Sequence, residues 1–84
     1  MVKEEIWSVP LGRVRDFFLQ QQDVTSLDET VFSCGSCRVT LTELPAALSG
    51  MWAAPRTLLR LEGEETDVAR IYRRFFLQFL SAGG

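Results

Sequence analysis

Cys34-Gly35-Ser36-Cys37 is the one constellation in this 84-residue chain whose residue types and spacing could do covalent chemistry. Two thiols separated by two residues can cycle between dithiol and disulfide, or supply half of a four-thiolate zinc site. Redox use needs a stabilised thiolate, and a helix N-terminus is the usual stabiliser; here Arg38-Val-Thr-Leu-Thr42 continues the motif as a strand. A disulfide across the turn is disfavoured, because the pair flanking a two-residue hairpin turn is hydrogen-bonded, with Cα atoms about 5.5 Å apart. Two chains meeting at their hairpin tips could pool Cys34 and Cys37 into a metal site; otherwise the two are small buried thiols. The chain has no His, which removes the commonest general base and metal ligand. Glu64, Glu65 and Asp67 crowd the start of a helix, where negative charge complements the dipole, and nothing pairs them for acid–base work. The expectation is a non-enzymatic protein with no catalytic residue and no cofactor.

The elements that must position these residues can be read from pattern. Gly35-Ser36 is a two-residue turn pair, which sets Cys34 opposite Cys37, Phe32 opposite Val39 and Thr30 opposite Leu41 on one mostly apolar face. Val31, Ser33, Arg38, Thr40, Thr42 and Leu44 share the other face. Residues 3–9 alternate as a first strand with Trp7 and Val9 inward, and Pro10 suits the first position of a helix running to about Gln22, with Leu11, Val14, Phe17 and Phe18 on one side. Asp23 to Glu29 reads as a connector holding a single turn, since Ser26-Leu-Asp-Glu29 resembles a capping box without an amphipathic helix behind it. Pro45 to Pro55 reads as a loop, apolar for its kind. Met51 and Trp52 within it either fold back over the sheet edge or stand exposed as an anchor for a partner. Arg56 to Glu62 is a strand with Leu59 and Leu61 inward, which leaves Arg56, Leu58 and Arg60 beside Arg38 and Thr40. From about Thr66 to Ser81 the spacing predicts a helix with Val68, Ala69, Ile71, Tyr72, Phe75, Phe76, Phe79 and Leu80 on a wide apolar face, and Arg70, Arg73 and Arg74 solvated behind it.

The predicted order is β-α-β-β-β-α over a single domain, residues 1–84. A right-handed crossover would set the first strand parallel to the second, giving an α+β two-layer sandwich. Its sheet is mixed and four-stranded, with two helices on one face, on the ferredoxin-like plan without the last strand. At 46% hydrophobic and 24% charged the chain is ordinary globular material, and no apolar run is long enough to cross a bilayer. The N-terminus lacks the apolar segment of a secretory signal, so a cytoplasmic location is expected. The net charge of −2 argues against nucleic acid, although eight of the nine basic residues are Arg. An RNA-binding sheet would need aromatics on the open strands, which only an outward Trp7 could supply. The terminal Gly83-Gly84 resembles the tail of small sulfur carriers and ubiquitin-like modifiers, which implies a carrier; Gly also terminates helices. The leading expectation is a small accessory module that binds another protein or itself. Its contact residues would be Arg38, Thr40, Arg56, Leu58 and Arg60 on the open face, with Met51 and Trp52 in the apolar stretch.

Overall fold

A computed structural model describes residues 1–80; Gly83-Gly84, and with it the carrier expectation, lies outside the described residues. The elements run β1 (Val2–Trp7), α1 (Leu11–Leu19), β2 (Thr25–Asp28), β3 (Val31–Cys34), β4 (Cys37–Ser49), β5 (Trp52–Glu62) and α2 (Glu65–Phe79). The strands form one sheet in the order β1-β5-β4-β3-β2, every neighbouring pair antiparallel. Both helices cover one face of it, so the α+β two-layer plan holds.

The expected four-stranded mixed sheet is corrected to five antiparallel strands. The missed strand is β2, four exposed residues with no apolar alternation to mark them, paired to β3 through a bulge. Its omission inverts the parity of everything downstream. Adding β2 at the far edge makes β3 run opposite to β1, and β1 pairs with β5 instead, Val2 opposite Glu62 through Trp7 opposite Thr57. The departure from the ferredoxin-like plan follows from this one strand.

The second correction concerns Pro45 to Pro55, which is no loop. β4 and β5 continue through it as a 13-residue and an 11-residue strand joined at Gly50-Met51, with a bulge between Leu44 and Ala47. Gly50 has φ +61° and Gly35 +60°, while neither Met51 nor Ser36 has positive φ. Both turns therefore place positive φ at the first central position alone, as type II′ hairpins do. β3 pairs with β4 only as far as Thr40, and β1 with β5 only as far as Thr57. The remainder of β4 and β5 leaves the body as a two-stranded arm, and the molecule is 42 Å long against 21 and 20 Å across.

The core lies between the sheet and the helices. Trp7, Val9, Phe32, Val39, Leu41, Leu59 and Leu61 meet Val14, Phe17 and Phe18 of α1 and Val68, Ile71, Phe75 and Phe79 of α2, all buried as the periodicities require. Phe75 joins the layers. Its ring centroid is 4.9 Å from Trp7, 5.9 Å from Phe17 and 4.8 Å from Phe79. Buried polar groups find partners: the Thr57 hydroxyl donates to the Val9 carbonyl at 2.6 Å, and the Trp7 indole N–H donates to Glu5 Oε1 at 3.0 Å. The Tyr72 hydroxyl also donates to Glu5 Oε1, at 2.7 Å; burial and this acidic partner push Tyr72 up to about 12.

Both helices differ slightly from expectation: α2 buries a narrower face than its apolar arc suggests, leaving Ala69, Phe76 and Leu80 exposed. Pro10 stands one residue before α1, where its carbonyl accepts from Arg13 and Val14 N–H, and α1 ends at Leu19 rather than Gln22. The glutamines beyond it turn the chain toward α2, with the Gln21 side chain donating to the Phe17 carbonyl at 3.2 Å.

Candidate functional site

The cysteine hairpin forms as its turn chemistry predicts, with Cys34 opposite Cys37 and Phe32 opposite Val39. The register sends both thiols inward, and each is 1% exposed. Burial pushes both thiols up from their ordinary value, and for Cys34 the neighbouring Asp23 charge adds to the effect. A raised thiol is protonated at neutral pH, the opposite of what nucleophilic or metal-ligating use asks for. Among the described residues no three His, Cys, Asp or Glu side chains gather as a metal-holding group. Neither thiol is presented at the surface where a second chain would meet the turn.

A polar network locks this turn to α2, and sequence pattern gave no sign of it. Ser36 N–H and Oγ–H both donate to Asp67 Oδ2, at 2.9 and 2.8 Å, while Ser36 Oγ accepts from the Glu64 N–H at 3.0 Å. Ser36 thus caps α2 from another part of the chain, which has no cap of its own. Asp67 also accepts from Arg70 at 2.9 Å. Asp23, delivered by the loop after α1, accepts two hydrogen bonds from Arg74 at 2.7 and 3.0 Å, one from Arg70 at 3.0 Å, and the Cys34 thiol at 3.6 Å. The Arg74 hydrogen bonds hold the Asp23 carboxyl well below the usual carboxylate range; those from Ser36 and Arg70 hold Asp67 at about 2. The back of α2 is solvated at Arg70 and Arg73 as expected, but Arg70 and Arg74 are not idle there: they tie α2 to the α1–β2 loop. Every charge here is matched, and the network reads as architecture.

The uncovered sheet face carries the residues expected there. Alternation along β5 puts Arg56, Leu58, Arg60 and Glu62 on it, opposite Leu44, Thr42, Thr40 and Arg38 of β4. β1 contributes Val2, Glu4 and Ile6 to the same face, beside Glu62, Arg60 and Leu58. Arg60 is flanked by Glu4 at 3.4 Å and Glu62 at 3.3 Å, so the body half of this face is charge-balanced rather than cationic. Trp7 points into the core at 6% exposure, so it offers no base-stacking ring there. Toward the arm the face changes character. Leu58, Ile6 and Leu44 lead to Ala47 and Ala54, which pair with each other, and then to Ser49 opposite Trp52.

The arm is the most unusual surface of the molecule. Every residue from Pro45 to Pro55 is exposed and none is charged. Met51 is 101% and Trp52 80% exposed, so the anchor alternative describes their placement and the folded-back one does not. The signal that could have found the arm was Gly50, which repeats the Gly-first turn of Gly35 one strand-length later. Arg56, Leu58, Met51 and Trp52 are brought onto one continuous ribbon; Arg38 and Arg60 lie at its body end. No protein-family model matches this chain, and no curated protein matches it. Among the described residues, no helix is long and apolar enough to cross a membrane.

Proposed function

We propose that this protein is a non-enzymatic interaction module that works in the cytoplasm by binding protein through the open sheet face and the arm that extends it. Arg38, Thr40, Arg56, Leu58 and Arg60 form the body of the surface, and Met51 and Trp52 its apolar end. The observation that carries this reading is the arm itself. A two-stranded ribbon is marginal in water when nothing covers it, and scattered single apolar residues need no explanation, but a Trp and a Met together at the tip of an uncharged arm do. Trp is the residue most enriched among those that dominate binding energy, and Arg is another. The mixed charges of Glu4, Glu62 and Arg60 favour protein over nucleic acid, which would ask for a field of positive sign.

The test is association measured by native mass and by in-cell crosslinking from position 51. Met51→Ala with Trp52→Ala is expected to abolish complex formation and leave the melting temperature within a degree or two, since neither side chain touches the core. Reversal of Arg38 and Arg60 to Glu is expected to weaken it less. Full complex formation by the Met51/Trp52 variant would remove the arm from the function.

A further inference from the structure

We infer that the arm's partner is a second copy of this chain, bound face to face about a two-fold axis that passes close to the Ala47–Ala54 pair. This rests on the reading of the arm as an interaction surface and goes beyond it by naming the occupant and the geometry.

Strand addition is the first alternative for a free ribbon, and the arm is poorly built for it. In a two-residue hairpin the flanking pair is hydrogen-bonded and the next is not, so Ser49–Trp52 and Ala47–Ala54 spend their backbone groups on each other. Leu48 and Ala53 turn theirs outward, Ala46 lies in the bulge that interrupts the edge of β4, and Pro45 and Pro55 have no N–H to offer at the base. Prolines at an edge block pairing with another chain. Contact must then be made through side chains on a face.

Along the open face the pairs run, from the tip inward, Gly50-Met51 at the turn, Ser49–Trp52, Ala47–Ala54, Leu44–Arg56 and Thr42–Leu58 with Ile6 beside it. A two-fold at the Ala pair reverses this order on the facing copy. Trp52 then meets Leu44 and Arg56, and Met51 meets Leu58 and Ile6. Each large exposed group lies over a half-buried apolar one, and the smallest side chains lie at the axis, where two ribbons must approach closest. Arg56 is already held in place, its Nε–H donating to the Pro45 carbonyl at 2.9 Å, so its guanidinium is available as a fixed plane beneath an indole. The geometry is isologous: whatever one copy offers at the tip, the other accepts at the base, and the reverse.

Charge argues for the same occupant. Near a two-fold axis each residue faces its own copy, so any charge there meets its like. The eleven residues from Pro45 to Pro55 carry none. A different protein would commonly be selected by charges complementary to its own, and the arm offers no charge to complement. Area is sufficient as well. Trp52 covered on both copies accounts for about 300 Å², and with Met51, the alanines and the receiving leucines doubled by symmetry the contact reaches the roughly 1,200 Å² of a small stable interface.

The test uses the full chain in sedimentation over low to high micromolar concentration. The unmodified protein is expected to dimerise. Trp52→Ala should weaken the dimer by roughly 100-fold, because symmetry repeats the loss. Ala54→Glu and Ala54→Lys should each be monomeric, since like charges meet at the axis, and an equimolar mixture of the two should restore the dimer as a heterodimer. At concentrations low enough for the parent to be monomeric, circular dichroism melts of all variants should match it, as residues 52 and 54 lie outside the core. A monomeric parent overturns the inference, as does a dimer that persists in both charge variants or a mixture no heavier than its parts. If the parent is monomeric and crosslinking from position 51 captures another protein, the interaction reading stands without this one; if nothing is captured, both fall.

Discussion

The two ends of β4 are built alike and live differently. Each closes in a two-residue turn with a glycine at φ near +60°, Gly35-Ser36 at one end and Gly50-Met51 at the other. At the first, an added Cβ on Gly35 would lie 2.8 Å from Asp67 Oδ2, and Ser36 exchanges hydrogen bonds with Asp67 and Glu64; at the second, nothing lies within 4 Å of the same position on Gly50. Local chemistry makes the turn in both cases. What differs is whether another element arrives to hold it: α2 begins against the first, and no element reaches the second. The held end buries two thiols, and the free end exposes a Met and a Trp. Stability is concentrated at one end of the strand and recognition at the other.

The comparison breaks most visibly at the core. Phe75→Ala should cost about 3–5 kcal/mol in denaturant unfolding, because Phe75 is fully buried between the layers. Truncation of the still larger Trp52 should cost nothing measurable by the same assay at concentrations where the chain is monomeric. Equal losses would mean that the arm is part of the folding unit.

The glycines sharpen the contrast. Gly63→Ala should destabilise the fold by about 1–3 kcal/mol, since its Cβ would meet backbone on the opposing segment that cannot give way. The blocking atoms are the Ser36 carbonyl oxygen at 2.5 Å and Cys37 Cα at 2.8 Å. Gly35→Ala should cost about 1–2 kcal/mol for its positive φ, and more if Asp67 must move. Gly50→Ala has the same φ penalty but should loosen only the arm, leaving global unfolding in place and raising amide exchange at the cross-strand pairs Ser49–Trp52 and Ala47–Ala54. A global loss at Gly50 matching that at Gly35 would erase the distinction.

The smallest effect is electrostatic. Asp67 titrates at about 2 in the fold against an ordinary 3.8. A carboxylate depressed in this way adds stability that is fully present above its ordinary value and lost as pH falls toward 2. The melting temperature of the parent should therefore drop between pH 4 and pH 2 more steeply than that of Asp67→Asn, whose amide cannot titrate. Parallel pH curves would show that the turn is held by packing alone.

Much of the body was legible because periodicity reports burial directly. Trp7 and Val9 inward, the Phe32/Val39 and Cys34/Cys37 pairs, Leu59 and Leu61, and Phe75 and Phe79 all follow from spacings of two or of three and four. β2 was not legible, since an exposed edge strand such as Thr25-Ser-Leu-Asp28 has no buried face to impose a pattern. The same reason hid the arm: with both faces in solvent, Pro45 to Pro55 has no alternation to show. Among the proposed contact residues, Arg56 and Leu58 could be placed by parity from Leu59 and Leu61. The continuity of that face out to Trp52 could not, because a bulge and an unrecognised turn stood between them.

What the amino-acid sequence determined by itself, then, is everything decided within a few residues: which segments are helical, where Gly35 turns the chain, which side chains must be hidden. Tertiary structure alone decided the rest. It set β1 beside β5, because sheet order depends on which edges remain free once hairpins have closed. Asp23 was brought to Arg70 and Arg74 across 47 and 51 residues of chain. It also left the Gly50-Met51 turn uncovered, because β1 and β3 end where β4 and β5 do not, and burial is a property of neighbours that no local stretch of sequence contains.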